Sequence, residues 1–576
     1  MHRGSSRWSA SGCAATAPDL SAARSPVAAS VRAARAVALL GIAAVFALPL
    51  LAALPLALAE AASLAAWREL LNDTRLPGAL GLSVFSASLS TLLALALALW
   101  LATGLMGSRH WPRLAARLGP MLALPHAAFA IGLAWLVAPA GWLTRLLAPL
   151  TGWDAPPPWV TVNDPQALTL SLVLVLKELP FLLWNIVALF ARDEVAQSLR
   201  RQIAGARTLG YTPRSWWWRV GWTGWLPRLA WPLLAVFAYG LTVVDVALII
   251  GPGSPPTLAV MAYAALTDAS VERNAVGAAA AVLLTLLLAA LSGAAWLAAK
   301  ALARLWRRRA LRGDRPGVTR ATGRVVLPLF GAVTAVYATV ALALLVLSVA
   351  GVWRFPAWLP QVLSLEAWQQ VRGSASTVFF TAALALAAAA SALVLCVAWL
   401  ESAPLGWDRR VTPLVLLPLV LPQLLLMVGV YRGALSLGLD GTRAGLFWAH
   451  LLMCLPYVFI ALAPAWRSFD HRLAWTALSL GRGRWAFWWR VKWPLLAAPL
   501  ASALAIGIAV SVAQYLSTQF LSGGRLPTVT TEAVTLASGG QRTVAAAFAV
   551  LQALIPLLAF AGAHAVARRL HHNRQP

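Results

Sequence analysis

Six polar groups lie inside long apolar runs of this chain: Lys177, Glu178, Asn185, Asp245, Gln423 and Gln514. Such side chains are costly in an apolar setting unless they meet a partner or a wet cavity, so they suit either the passage of a polar solute or hydrogen bonding between helices. Asp245 is the strongest pathway candidate, because no other acidic residue shares its run. Lys177 and Glu178 are neighbours placed to neutralise each other in part. Bond-making chemistry has no comparable set. The three lysines, Lys177, Lys300 and Lys492, follow Leu176, Ala299 and Val491, so none completes the Gly-Lys-Ser/Thr turn that cradles phosphate. No GxSxG, HExxH or kinase signature occurs. Cys13, Cys396 and Cys454 form no CxxC pair or metal spacing, and His571-His572 reads as a solvated end. The chain is therefore expected to bind no cofactor and to catalyse nothing; any ATP it depends on must be hydrolysed, with Mg2+, by another polypeptide.

The elements that hold these groups are set by composition. Sixty per cent of residues are hydrophobic, 11% are charged and mean hydropathy is +0.74, which places the chain in a bilayer as an all-α, polytopic membrane protein. A hydrocarbon core of about 30 Å needs about 20 apolar residues per helix. Spans are expected near 37–60, 79–106, 118–140, 167–190, 229–251 and 275–299, then near 325–351, 374–400, 411–431, 445–466, 499–521 and 543–567. That makes about twelve transmembrane helices, six in each of two pseudo-symmetric halves, 37–299 and 325–567.

Basic residues near span ends resist translocation. With both termini in the cytoplasm, the inner segments hold 35 of the 46 Lys and Arg residues. The net charge of +27 is then a topological signal with affinity for anionic lipid, and not a nucleic-acid footprint, because no basic soluble domain carries it. Residues 1–36 read as a disordered cytoplasmic tail, 300–324 as a basic cytoplasmic linker and 568–576 as a second tail. ALAEAA after the first span resembles a signal-peptidase site, but the apolar run before it is too long for an ordinary signal peptide, so the helix is expected to stay uncleaved.

A stretch in the polar breaks occurs twice, 271 residues apart. AGARTLGYTPRSWWWRVGW begins at Ala204 and WTALSLGRGRWAFWWRVKW at Trp475. Each sets Leu-Gly (Leu209-Gly210, Leu480-Gly481) at one spacing before Trp-Trp-Arg-Val, which contains Arg219 or Arg490. A period this long joins two domain-sized halves, each with its own copy of one working part. The spans repeat too: Leu-Pro precedes a glycine by seven residues at Pro125 and Gly132, and again at Pro422 and Gly429. Both polar segments, about 192–228 and 467–498, are expected to face the cytoplasm.

The repeat resembles the cytoplasmic "EAA" loop of binding-protein-dependent ABC importer permeases. Ala204-Gly205-Ala206 and Trp475-Thr476-Ala477 take the place of Glu-Ala-Ala, and Gly210 and Gly481 take the glycine. Val491-Lys492-Trp493-Pro494 stands for Ile-x-Leu-Pro, while the first copy's proline arrives four residues late, at Pro227, as though a helical turn had been inserted. Neither copy keeps the leading glutamate. Fusion of two halves is similar to the ferric-iron, thiamine and YnjC-like permeases. The resemblance implies an inner-membrane translocation subunit with two ABC ATPase copies docked on the loops and a soluble solute-binding protein outside. Trp and Arg of the loops would be anchors in the partner; the other reading makes the tryptophans a belt at the headgroups. A secondary transporter of two six-helix halves, coupled through intramembrane charges without an ATPase, is the alternative of a different class.

Overall fold

The computed structural model describes residues 26–311, 322–470 and 472–572, and among them the chain is helical, with one isolated bridge between Ala350 and Leu363. In the first half α1 (Pro26–Ile42) and α2 (Leu48–Glu60) are joined by a π-helical turn, Ala43–Ala47, and are followed by α3 (Leu64–Asn72), α4 (Leu76–Leu105), α5 (Trp111–Ala123), α6 (His126–Val137), α7 (Trp142–Thr151) and α8 (Leu168–Phe190). Next come α9 (Asp193–Thr208), α10 (Pro213–Trp216), α11 (Trp222–Trp225), α12 (Ala230–Thr242), α13 (Asp245–Ile250), α14 (Leu258–Leu266) and α15 (Val271–Leu311). The second half repeats this order without counterparts of α7 and α11. It comprises α16 (Thr322–Ser348), α17 (Glu366–Gly373), α18 (Ala375–Ser402), α19 (Leu405–Val420), α20 (Gln423–Ser436) and α21 (Arg443–Arg467). The remaining helices are α22 (Arg472–Ser479), α23 (Arg484–Phe487), α24 (Trp493–Ala513), α25 (Leu516–Ser522), α26 (Val529–Ser538) and α27 (Arg542–His572).

Among the described residues ten helices are long and apolar enough to cross a membrane, or eleven if one bent pair is a single span. Eight of the twelve expected spans are continuous. The other four are interrupted, in matching pairs. At Leu124-Pro125 and Leu421-Pro422 the proline lacks an N–H and pushes the preceding residue out of helical geometry, so α5 gives way to α6 and α19 turns into α20 through 103°. The expected spans 229–251 and 499–521 break at Val243-Val244 and Gln514-Tyr515, where extended backbone separates α12 from α13 and α24 from α25. The first of these leaves α12 with only 13 residues, too few to cross alone.

The two halves exchange their first helices. α1 and α2 pack on α18 and α20, while α16 packs on α6 as well as on α27. Small residues permit the close approach that drives helix association in lipid. A Cβ at Gly429 would overlap the Ala53 backbone of α2, and one at Gly132 would meet Val340 and Leu344 of α16. An Arg432–Glu60 ion pair and a hydrogen bond from Trp448 Nε1 to the Val45 carbonyl, 3.0 Å, fasten the α2 side.

Two expectations about the polar segments change. Residues 26–36, read as tail, begin α1; residues 1–25 lie outside the described residues. The segment 300–311, read as linker, continues α15, whose 41 residues reach ~60 Å, about twice the hydrocarbon thickness. Trp306 Nε1 donates to the Trp218 carbonyl at 3.0 Å, tying this extension to the first polar loop. Residues 312–321 and 573–576, the rest of the linker and the tail's end, lie outside the described residues.

Candidate coupling loops and translocation pathway

The loops share one backbone device. Gly210 has φ +80° and Gly481 φ +68°. The N–H of Tyr211 donates to the Ala206 carbonyl and that of Arg482 to the Ala477 carbonyl, both at 3.0 Å. This six-to-one bond with a left-handed glycine is a Schellman motif, which closes α9 and α22. No heavy atom lies within 4 Å of where a Cβ would stand at either glycine, so backbone conformation alone demands glycine there. Each turn holds one leucine outward, Leu209 at 65% and Leu480 at 73% exposure. Ala204, Gly205, Trp475 and Thr476 are exposed around it, Ala206 and Ala477 are buried beneath it, Arg219 is half-buried and Arg490 exposed.

Beyond the turn come short helices, α10 and α23, then π-helical turns Trp217–Gly221 and Trp488–Lys492, still 271 residues apart. The helix breaks at Val243 and Gln514 keep the same offset. No helical turn is inserted after Val220: the late Pro227 instead opens a 3-10 turn, Leu226–Leu229, while Pro494 starts α24 directly. The real length difference precedes the glycine. Pro180 to Gly210 is 30 residues and Pro456 to Gly481 is 25, and α9 has 16 residues against 8 in α22.

The inner tryptophans are neither partner anchors nor headgroup belt. Trp216 and Trp217 are buried, with the Trp217 ring 5.5 Å from Phe190 and 4.6 Å from Trp222, so they pin the first loop to the end of α8. The second loop is pinned ionically. Lys492 pairs with Glu401, and its ammonium sits 4.4 Å from the Trp466 ring and 5.0 Å from Trp488. Nearby, Arg467 pairs with Asp408 at 2.6 Å.

The intramembrane polar residues collect at the helix breaks. Lys177 Nζ donates to the carbonyls of Leu124, 2.5 Å, and Met121, 3.3 Å, and so caps the end of α5. Glu178 faces another way, with Oε1 3.3 Å from His126 Nε2 at the start of α6, so the adjacent lysine and glutamate serve different partners. Asp245 opens α13 within electrostatic reach of His126. Gln423 Nε2 donates to Gln514 Oε1 at 2.9 Å, and Ser517 Oγ donates to the same oxygen at 2.7 Å. Asn185 stands apart. Its Nδ2 donates to the Phe181 carbonyl on its own helix, and it lines a crevice of about 400 Å³ with Arg192 and Arg228 beside the first loop.

Sequence comparison joins this geometry to known proteins. Over 524 residues the chain is 36% identical to the inner membrane ABC transporter permease protein YnjC of Escherichia coli (strain K12), covering 90% of this chain and 93% of that protein. The chain belongs to the inner-membrane ABC transporter permeases. The molybdenum transport system permease proteins ModB of Mycobacterium bovis and Mycobacterium tuberculosis are each 30% identical over 129 residues, 20% of this chain and 49% of theirs. No family model matches. The permease is a multi-pass inner-membrane protein and the transmembrane subunit of an ABC transporter.

Sequence reasoning passed over several of the permease's residues. His126 follows Pro125 as Gln423 follows Pro422, so the repeated Leu-Pro signal pointed to it. The Tyr239 ring lies tilted against His126 at 4.7 Å, and Tyr263 and Tyr515 meet hydroxyl to hydroxyl at 3.2 Å across the halves. Their signal was scarcity: the chain has 7 tyrosines against 29 tryptophans, so a cluster of tyrosines is informative.

Proposed function

We propose that this permease imports a solute handed over by a soluble binding protein, with one ABC ATPase subunit docked on each loop and Mg2+ and ATP consumed there. The observation that carries the reading is the duplicated Schellman turn with its outward leucine. An apolar side chain on a rigid, water-facing turn suits a groove in a partner, and two such turns suit two copies of it. The π-helical turns and inner tryptophans make each loop stiff. A push on Leu209 or Leu480 therefore travels along α12 or α24 to the breaks at Val243 and Gln514, beside Asp245, Gln423 and the Glu178–His126 pair, which we assign to the pathway with Lys177 as the cap that fixes its wall. The lysine and arginine distribution supports loops and termini on the cytoplasmic side.

The test replaces the left-handed glycines. A β-branched residue at positive φ costs about 1–2 kcal/mol, close to a tenfold change in equilibrium. Gly210→Val and Gly481→Val should leave the permease inserted but retain about tenfold less ATPase on purification. Gly210→Asn and Gly481→Asn, whose side chain tolerates that conformation, should retain most of it. Full retention by both valine variants would overturn the docking assignment. Orientation has its own check: Thr208→Cys and Ser479→Cys should resist an impermeant thiol reagent in intact cells and react once the membrane is opened.

A further inference from the structure

We infer that the solute passing between the halves is an organic cation; the inference rests on reading the broken helices as the pathway. Five of the 7 tyrosines lie around the breaks: Tyr239 and Tyr263 from the first half, Tyr431, Tyr457 and Tyr515 from the second. Phe520 lies 6.5 Å from Tyr263 and 6.4 Å from Tyr431, joining these two rings and that of Tyr515, 6.0 Å from Tyr263, into one wall. Tyr457 is 41% exposed in the middle of α21, and it lies within electrostatic reach of Glu178 and Tyr239 from the other half.

The charges point the same way. Glu178 and Asp245 contribute two carboxylates and His126 one imidazole, while the second half offers the uncharged amides Gln423 and Gln514. The basic groups closest to this wall are engaged. Lys177 keeps its charge but turns it onto the α5 carbonyls and the ring faces of Phe129 and Tyr337, 5.7 and 5.6 Å away, and Arg432 is paired with Glu60. An anion would meet carboxylates and ring faces there, both of which repel it. A cation meets attraction from both. Rings outnumber carboxylates, and among the described residues no three His, Cys, Asp or Glu side chains are grouped to hold a metal ion. A substituted ammonium, which binds ring faces without demanding a full set of ligands, fits better than a bare metal ion.

The test reads charge selectivity directly. In a Cys13→Ser, Cys396→Ala, Cys454→Ala background, Gln423→Cys and Gln514→Cys are introduced separately into the permease reconstituted with its ATPase and turning over ATP. Each is treated with a trimethylammonium methanethiosulfonate and with a sulfonate one, both normalised to their rates with a free thiol in solution. The cationic reagent should lead by about tenfold, as a focused field predicts. Asp245→Asn should cut that lead severalfold, with Glu178→Gln as the second variant if the first does not assemble. Tetramethylammonium chloride should slow the reaction more than manganese chloride at equal ionic strength. Equal rates, or a lead for the sulfonate, would overturn the cation and leave the pathway standing. Protection by manganese alone would overturn the organic assignment. Two cysteines that react with neither reagent would overturn the pathway reading itself.

Discussion

The first half carries charge at its helix breaks and aromatic packing at its loop; the second half carries amides at its breaks and adds an ion pair to the aromatic rings of its loop. With the 271-residue offset, Asp245 and Tyr239 correspond to Leu516 and Val510, and Gly221 corresponds to Lys492. The paired prolines match His126 with Gln423 and Glu178 with Cys454. The backbone devices are common to both halves: the Schellman turn, the π-helical turn and the two breaks in each half recur in order. Duplication has therefore held the frame that a symmetric pair of partners would require. The side chains have diverged where a single solute, lacking that symmetry, would be met.

The largest break in this comparison should come at the crossings where the halves exchange helices. Gly429→Ala sets a methyl group onto the Ala53 carbonyl oxygen, which has no side chain to move aside, whereas Gly132→Ala meets side-chain atoms of Val340 and Leu344 first and the Val340 carbonyl oxygen only at 3.1 Å. Overpacking of the first kind should destabilise by about 3 kcal/mol and of the second by about 1 kcal/mol. Thermal unfolding followed by size-exclusion chromatography would rank them, and equal shifts would show that the crossings are equivalent despite their chemistry.

A smaller effect should separate the loop anchors. Lys492→Met leaves Glu401 without its partner in a half-buried site, a loss of about 2 kcal/mol after allowing for the 29% exposure of the glutamate. Glu401→Gln in the same chain should recover part of it, because the uncompensated charge is then gone. Gly221→Ala tests the first loop by a different force, as its Cβ would press on the Trp216 and Trp217 rings. Stability unchanged by Lys492→Met would remove the ionic anchor from the account.

The smallest effect concerns His450. Its ring nitrogens lie 2.8 Å from Ser511 Oγ and 3.0 Å from Thr518 Oγ1, and its counterpart in the first half is Leu174. His450→Leu should cost less than 1 kcal/mol, in line with about 0.6 kcal/mol for interhelical hydrogen bonds in lipid. Thr518 Oγ1 keeps a bond to the Gln514 carbonyl at 3.1 Å, which limits the loss. A much larger melting shift would show that this histidine fastens α21 to α24 and α25 more firmly than its hydrogen bonds suggest.

Much of this was legible in the sequence because lipid imposes simple rules. Apolar length marked eight spans, and the repeat marked both left-handed glycines, since few residues other than glycine close such a turn. The inserted turn after Val220 was misread because proline position was taken as register, whereas a helix entering the membrane accommodates proline at several places in its first turns. Trp216 and Trp217 were misjudged because an exposed anchor and a buried one carry the same letter. Trp216 and Trp217 became internal only when the end of α8 brought Phe190 beside them.

The sequence by itself determined the membrane class, the duplication and the turn that ends α9 and α22, because each depends on local composition or on one backbone conformation. Which polar groups meet was decided by tertiary structure. Lys177 and Glu178 are adjacent in the chain yet point to different helices, while Gln423 and Gln514 are far apart and hydrogen-bonded. The exchange of first helices and the convergence of five tyrosines were decided there too. Periodicity tells a helix which residues share a face, but it does not say which helix that face will meet.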